Sequence, residues 1–257
     1  MNASSTPIAL ITGGSRGLGR NTALALAAQG SDVIITYQRQ AAEAQAVVAQ
    51  IQAQYPGRRA ATLQLDAGDS ASFPAFAARL RELLATQWQR PQFDHLVNNA
   101  GFGHYAAFAE TTEADFDALY RVHLKGVYFL TQTLLPLIAD GGRIVNISSG
   151  LARFSFPGSS AYAVMKGAIE VLTRYLAKEL GPRGIAVNTL APGAIETDFG
   201  GGRVRDDAAL NRALAAQTAL GRVGLPEDIG GAIAALLAPG SRWINAQRIE
   251  ASGGMLV

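Results

Sequence analysis

Seven short runs of apolar, often β-branched residues recur along the chain, separated by longer Ala- and Leu-rich stretches with helical spacing. The runs are Ile8–Thr12, Val33–Tyr37, Ala61–Leu65, His95–Asn98, Arg143–Ile147, Ala186–Leu190 and Arg248–Ala251. Most are apolar on successive residues, the pattern of strands covered on both faces in a parallel sheet. The stretches between them predict helices over Gly17–Gln29, Ala41–Gln54, Ser70–Gln87, Glu113–Leu137, Ser160–Leu180 and Pro226–Leu237, with a shorter one over Asp207–Gln217. Gly30 and Gly181-Pro182 are helix stops, and Leu225-Pro226-Glu227-Asp228 is a helix start. Alternating strands and helices imply right-handed crossovers and a doubly wound α/β sheet, with helices in layers on both faces.

The 257 residues suit one such domain, and no Pro-, Ser- or charge-rich linker divides them. Residues 1–6 read as a flexible N-terminal tail and 7–257 as the domain. The longest irregular region, about 193–225, reads as a lid. Hydrophobic residues make up 49% and charged ones 16%, which excludes a disordered chain. The absence of cysteine excludes disulfides, thiolate metal sites and a thiol nucleophile. His95, His104 and His123 show no metal-ligand spacing, so no metal is expected. A net charge of +2 is too small to argue for nucleic acid. No apolar stretch approaches the ~18 residues of a membrane span, and the polar N-terminus lacks a signal-peptide pattern. A cytoplasmic protein without membrane partners is expected.

The first strand runs into Thr12-Gly13-Gly14-Ser15-Arg16-Gly17-Leu18-Gly19. Glycines let such a turn approach a ligand without a Cβ in the way. The following helix then offers free N–H groups and its positive dipole end to a phosphate. Tyr162 and Lys166 stand four apart on one helix face. A free phenol has a pKa near 10, and a neighbouring ammonium favours its phenolate. A phenol tuned in this way exchanges a proton with an alkoxide. Ser149, just past the fifth strand, lies at the carboxyl edge where such sheets bind ligands, and its hydroxyl is suited to hold a carbonyl oxygen.

Together these features make the chain similar to the short-chain dehydrogenase/reductase family. The resemblance rests on the glycine turn, on Asn98-Asn99-Ala100-Gly101 after the fourth strand, and on Tyr162-Ala163-Val164-Met165-Lys166. Ser149 precedes Tyr162 by 13 residues, where the family has its serine. Pro192-Gly193 with Thr197, the run Gly221–Asp228 and Gly253-Gly254 complete the match over about residues 7–257. It implies a single-domain Rossmann fold and an oxidoreductase that interconverts a carbonyl and an alcohol, with Ser149, Tyr162 and Lys166 as catalytic residues. It implies cofactor contacts at Gly13, Ser15, Arg16, Gly17, Leu18 and Gly19, then at Arg39, Asp66 and Ala67. Further contacts are implied at Asn98, Ala100, Gly101, Tyr162, Lys166, Pro192, Gly193, Ile195 and Thr197, with Asp66 on the adenine amino group.

The second strand ends in Tyr37-Gln38-Arg39, without the acid that holds a ribose 2′-hydroxyl in NAD-binding members. Arg16 and Arg39 suit a 2′-phosphate, so NADP(H) is expected over NAD(H). His123 stands where the family has an asparagine that stabilises a helix kink and holds a water leading to the lysine. An imidazole both donates and accepts hydrogen bonds. His123 is therefore expected either to replace that asparagine, with pH dependence from its second nitrogen, or to be a packed helix residue. His104 and Tyr105 are candidates for the substrate pocket, and Arg203, Arg205 and Arg212 for an anionic substrate or a solvated lid. The expected substrate is a small free ketone, aldehyde or alcohol. The alternatives are 3-oxoacyl-(acyl carrier protein) reduction and a non-catalytic cofactor-binding regulator. Leu134–Asp140 contains no Lys or Arg with which to dock an acidic carrier protein. Apolar residues on two faces of the fourth and fifth helices (Val127, Tyr128, Phe129 and Leu134; Ile169, Leu172 and Leu176) and the resemblance together point to a homotetramer or homodimer.

Overall fold

Every strand of the sheet is parallel to its neighbours, in the order β3-β2-β1-β4-β5-β6-β7. The structure is a computed structural model describing residues 6–257. Met1–Ser5 of the expected tail lie outside the described residues, and the Thr6 carbonyl accepts a hydrogen bond from Arg90 at 3.2 Å. The first half of the chain runs β1 (Ile8–Ile11), α1 (Gly17–Ala28), β2 (Asp32–Tyr37), α2 (Ala41–Gln54), β3 (Ala60–Gln64), α3 (Phe73–Leu83) and β4 (Phe93–Asn98). It continues with α4 (Glu113–Tyr120), α5 (Val127–Leu134), β5 (Ile138–Ile147), α6 (Ser160–Leu180) and β6 (Ala186–Pro192). The chain closes with α7 (Arg203–Asp206), α8 (Ala208–Ala216), α9 (Pro226–Leu237) and β7 (Arg248–Ala251).

Alternation along the strands builds two cores. Ile8 and Leu10 of β1 face Phe73, Phe76 and Leu80 of α3, Leu130 and Leu134 of α5, and Ala177 and Leu180 of α6. Ala9 and Ile11 face the other way, against Ala23 and Leu26 of α1, Val47 and Ile51 of α2, and Ile229 and Ile233 of α9. Both faces of the sheet are therefore dry, which is why the strands read as unbroken apolar runs. No helix among the described residues is long and apolar enough to cross a membrane.

Two expected helices are not continuous. The stretch predicted from Glu113 to Leu137 opens into a π-helical turn over Arg121–Gly126, between α4 and α5. A Cβ at Gly126 would lie 2.0 Å from the Ala67 carbonyl and 2.8 Å from that of Arg121. The loop after β3 thus presses directly on the helix backbone there, and the extra residue of the π turn takes up the distortion. The stretch predicted from Ser70 begins as a 3₁₀ turn capped by Asp69 and ends in a π turn over Leu84–Trp88. The apolar residues expected to cover one another also divide differently. Leu134 and Ile169 are in the core, while Tyr128 and Phe129 of α5 and Val164, Val171 and Tyr175 of α6 are exposed.

Candidate active site

The glycine turn is held open by side chains from β1 and β4. The buried Thr12 hydroxyl accepts from the backbone N–H groups of Asn99 (3.0 Å) and Ala100 (2.9 Å). The Asn99 amide donates to the carbonyls of Thr12 (2.8 Å) and Gly13 (3.1 Å). Gly13 and Gly17 have left-handed backbones, with φ of +66° and +53°, which only glycine adopts freely. A Cβ at Gly19 would lie 2.2 Å from the Gly13 carbonyl and 2.6 Å from the Asn99 amide. Ser15 and Arg16 precede α1, whose first turn has no side-chain cap. Its N–H groups and positive dipole end therefore face the turn, a cradle suited to a phosphate. Leu18 packs back onto the core.

The loop after β6 crosses this cradle. Gly193 N–H bonds to the Ala251 carbonyl at 3.1 Å, Ile195 bridges Gly224, and the Thr197 side chain lies 3.8 Å from where a Gly17 Cβ would be. A Cβ at Gly13 would meet the Ala100 backbone at 2.9 Å, and one at Gly101 would meet the His123 ring at 2.5 Å. The expected cofactor residues thus share one sheet edge, with one exception. The Asn98 side chain is turned inward and donates to Asn146 (2.8 Å) and Thr131 (3.1 Å). It belongs to a buried chain that continues through Thr173 to Thr189, so only its backbone reaches the edge.

At the far end of the edge, Gln38, Arg39, Gln64, Leu65, Asp66, Asp69, Ser72 and Arg79 line a recess of about 360 Å³. Arg79, on α3, donates to the Gln64 carbonyl at 2.9 Å. No local motif marks it, and only the packing of α3 brings it beside Arg39. Arg16 is exposed on the glycine turn and does not line the recess. The Asp66 carboxylate accepts from the Gly68 N–H (2.8 Å) and the Gln38 amide (2.9 Å). It therefore caps the strand end as well as facing the recess.

Ser149 follows β5, and Tyr162 and Lys166 lie on the first turns of α6. Tyr162 is 7% exposed and Lys166 5%. The Lys166 ammonium donates to the Ile147 carbonyl at 2.7 Å and stands 5.5 Å from the Tyr162 ring centre. Burial holds Lys166 down to about 7. Burial, followed by the neighbouring Tyr105, pushes the Tyr162 phenol well above its ordinary range, while the Ser149 hydroxyl pulls it down. In this arrangement burial dominates, and the phenol stands above its ordinary range. Both groups have lost their water, and desolvation disfavours each charged form.

His123 occupies the π turn and is 1% exposed. Its Nε2 is 2.8 Å from the Phe102 carbonyl, while Nδ1 is buried without a partner among the described residues. The Phe102 N–H also lies 3.3 Å from Nε2, so one ring nitrogen meets both backbone groups of Phe102. The ring meets Tyr162 edge-on at 5.2 Å. Burial, followed by the Lys166 charge, holds His123 down to about 3. A depression of that size favours the neutral imidazole near neutrality.

The 193–225 segment folds down over the phenol. Phe199 stands 5.7 Å from the Tyr162 ring. Gly200, Gly201 and Gly202 are all left-handed, and a Cβ at Gly200 would meet Tyr105 at 2.9 Å. Of the lid arginines, Arg203 stacks on Tyr105 at 5.7 Å and Arg205 pairs with Asp198 and Asp206. Arg212 has no assigned place at the mouth. His104 is directed to Asp115 at 3.8 Å. The mouth is thus walled by Phe102, Tyr105 and Phe199. Phe102 and Phe199 carry no motif of their own and were absent from the expected site, as were the positioning residues Thr12 and Asn99.

The family model described as enoyl-(acyl carrier protein) reductase matches residues 13–256. An uncharacterized oxidoreductase of Methylorubrum extorquens is 37% identical over 248 residues, covering 96% of this chain and 97% of that protein. The chain belongs to the short-chain dehydrogenase/reductase family, and it is an oxidoreductase of that family. Among solved structures it is similar to the promiscuous reductase LugOII, which catalyses keto-reduction at C1 during lugdunomycin biosynthesis. That match has a TM-score of 0.92 at 36% identity and covers 98% of this chain and 99% of the other. A second match, the angucycline C-6 ketoreductase LanV with bound NADP, has a TM-score of 0.91 at 34% identity and covers 97% of this chain and 95% of the other.

Proposed function

We propose that the protein is an NADPH-dependent ketone reductase, with Tyr162 as proton donor, Ser149 as carbonyl partner and Lys166 as the charge beside both. The observation that carries this reading is the convergence of these three side chains where the glycine cradle and the β6 loop meet. The cradle fits a dinucleotide, because two of its glycines have left-handed backbones and a helix N-terminus faces it. Gly13–Gly19 and Thr197 would hold the phosphates, and Arg39, Arg79 and Arg16 a 2′-phosphate. The bound NADP of LanV supports this choice. When bound, NADPH supplies the hydride.

The protein's own part is to hold the carbonyl and deliver a proton. The Ser149 hydroxyl donates to the carbonyl oxygen, and the Tyr162 hydroxyl gives its proton to that oxygen as negative charge develops. Lys166, held to about 7, exchanges its proton readily near neutrality and can return one toward the phenol. His123 serves as the neutral counterpart of the family's asparagine. It holds the Phe102 backbone through Nε2. Phe102, Tyr105 and Phe199 favour a flat aryl ketone over a flexible acyl chain, and Leu134–Asp140 offers no cation to an acidic carrier. The exposed Tyr128, Phe129, Val171 and Tyr175 support a homotetramer or homodimer built through α5 and α6.

The test is loss of NADPH absorbance against a panel of 2-butanone, acetoacetyl-carrier protein, acetophenone and 1-tetralone. Turnover of the aryl ketones, abolished in Tyr162→Phe with NADPH binding retained, is expected. Full activity of Tyr162→Phe would overturn the assignment.

A further inference from the structure

Behind Ser149 lies a charged network that neither the cofactor cradle nor the proton donor requires. On β7 the side chains alternate. Ile249 and Ala251 enter the core beneath α1 and α9, and Arg248 and Glu250 face the opposite side, toward α6. Arg248 Nε donates to Glu170 Oε1 of α6 at 2.7 Å, and its Nη1 donates to Glu250 Oε2 at 2.8 Å. Its Nη2 is 3.4 Å from the Ser149 carbonyl. The same Glu170 oxygen accepts from the Ser148 hydroxyl at 2.7 Å, and that hydroxyl is 3.3 Å from the Lys166 carbonyl. Arg153 reaches Glu250 Oε2 at 3.4 Å from the loop that follows Ser149. Glu250 Oε1 is buried against Gly150, without a partner among the described residues.

The network therefore holds the backbone on both sides of the site, at Ser149 just after β5 and at Lys166 on α6. Its central charges are largely withdrawn from water, with side-chain exposures of 22% for Arg248 and 15% for Glu170. Removing one member leaves the others desolvated and unpaired, so the cluster tolerates one arrangement. An arginine fork fixes geometry as well as charge, because its planar donors point in set directions. The Ser149 hydroxyl is the neighbour that lowers the Tyr162 phenol, so its placement bears on the ionisation of Tyr162.

We infer that Arg248, with Glu170 and Ser148, is a positioning residue that sets where the Ser149 hydroxyl stands and thereby tunes the proton donor. This inference rests on the roles proposed for Ser149 and Tyr162. A purely structural part, such as guarding the edge strand β7 with inward charge, would change stability or aggregation and leave the ionisation of Tyr162 alone.

The experiment is the pH dependence of alcohol oxidation with NADP⁺ and 1-tetralol, or whichever alcohol of the tested ketones turns over fastest. The rising limb reports proton loss from the coupled Tyr162–Lys166 pair. In Arg248→Met the limb is expected to move to higher pH, with kcat down about tenfold, as for a lost charged hydrogen bond, and NADPH affinity within about twofold. Arg248→Lys restores the charge without the fork and recovers only part of the shift. If Arg248→Met does not fold, Ser148→Ala cuts the link to Glu170 within a neutral residue, and a limb displaced in the same direction supports the inference. An unmoved limb in the folded variants, with activity falling only in step with Tm, overturns it. Tyr162→Phe run alongside separates the two readings. An inactive Tyr162→Phe with an unmoved limb rejects only the network's role, and an active Tyr162→Phe rejects the reductase assignment beneath it.

Discussion

Lys166 is held in a state that opposes folding. Burial lowers it from 10.5 to about 7, a depression that corresponds to about 5 kcal/mol between the two protonation states. Below the folded value both the native and the unfolded lysine carry the proton, and the full cost of burying the ammonium is present. Between about 7 and 10.5 the unfolded chain binds the proton and the folded one does not, so stability rises with pH across that window. Above it the contribution disappears. Lys166→Met keeps the apolar stem and removes the charge, but it leaves the Ile147 carbonyl without its 2.7 Å donor, which costs about 1–3 kcal/mol. The net expectation is a variant about 2–4 kcal/mol more stable than the wild type at pH 6 and about 1–3 kcal/mol less stable at pH 10.5, with no turnover. Urea unfolding of both proteins at the two pH values measures the difference, which cancels the titrating groups that do not feel the Lys166 charge. A stability difference independent of pH would refute the reasoning, because the lysine would then be as well solvated in the fold as outside it.

Arg39→Ala should reduce kcat/KM with NADPH about ten- to a hundredfold, as expected for a lost charged contact of 1.5–3 kcal/mol, and leave the NADH value nearly unchanged; paired kinetics with the two cofactors decide it. His123→Asn should keep kcat within a few fold and His123→Ala should lower it. Because the wild-type imidazole is held to about 3, the profile of kcat between pH 5 and 9 should have the same shape in His123→Asn as in the wild type, and a limb that vanishes on that substitution would show that His123 titrates in this range.

The strands were legible because both faces of the sheet are covered, so each left a short apolar run in the sequence. The glycine turn, within β1–α1, and Ser149, Tyr162 and Lys166, within β5–α6, were legible because each spacing is local to one strand–turn–helix unit. What was not legible came from contacts between distant segments. The π turn depends on the Ala67 carbonyl pressing on Gly126, and a continuous helical pattern over Glu113–Leu137 contains no trace of that loop. Arg79 joins the recess only because α3 packs beside β3, and Asn98 turns inward only because Asn146, Thr173 and Thr189 sit on neighbouring elements. His123 shows how the two kinds of information meet. Its departure from the family pattern was visible in sequence, but its neutrality was not, since that comes from burial under Gly101 and from the charge of Lys166. A Cβ at Gly101 would come within 2.5 Å of the imidazole. The glycine of the turn after β4 and the histidine of the π turn are therefore one fitted pair. A larger residue at either place has to displace the other, and with it the ring that stands edge-on to Tyr162.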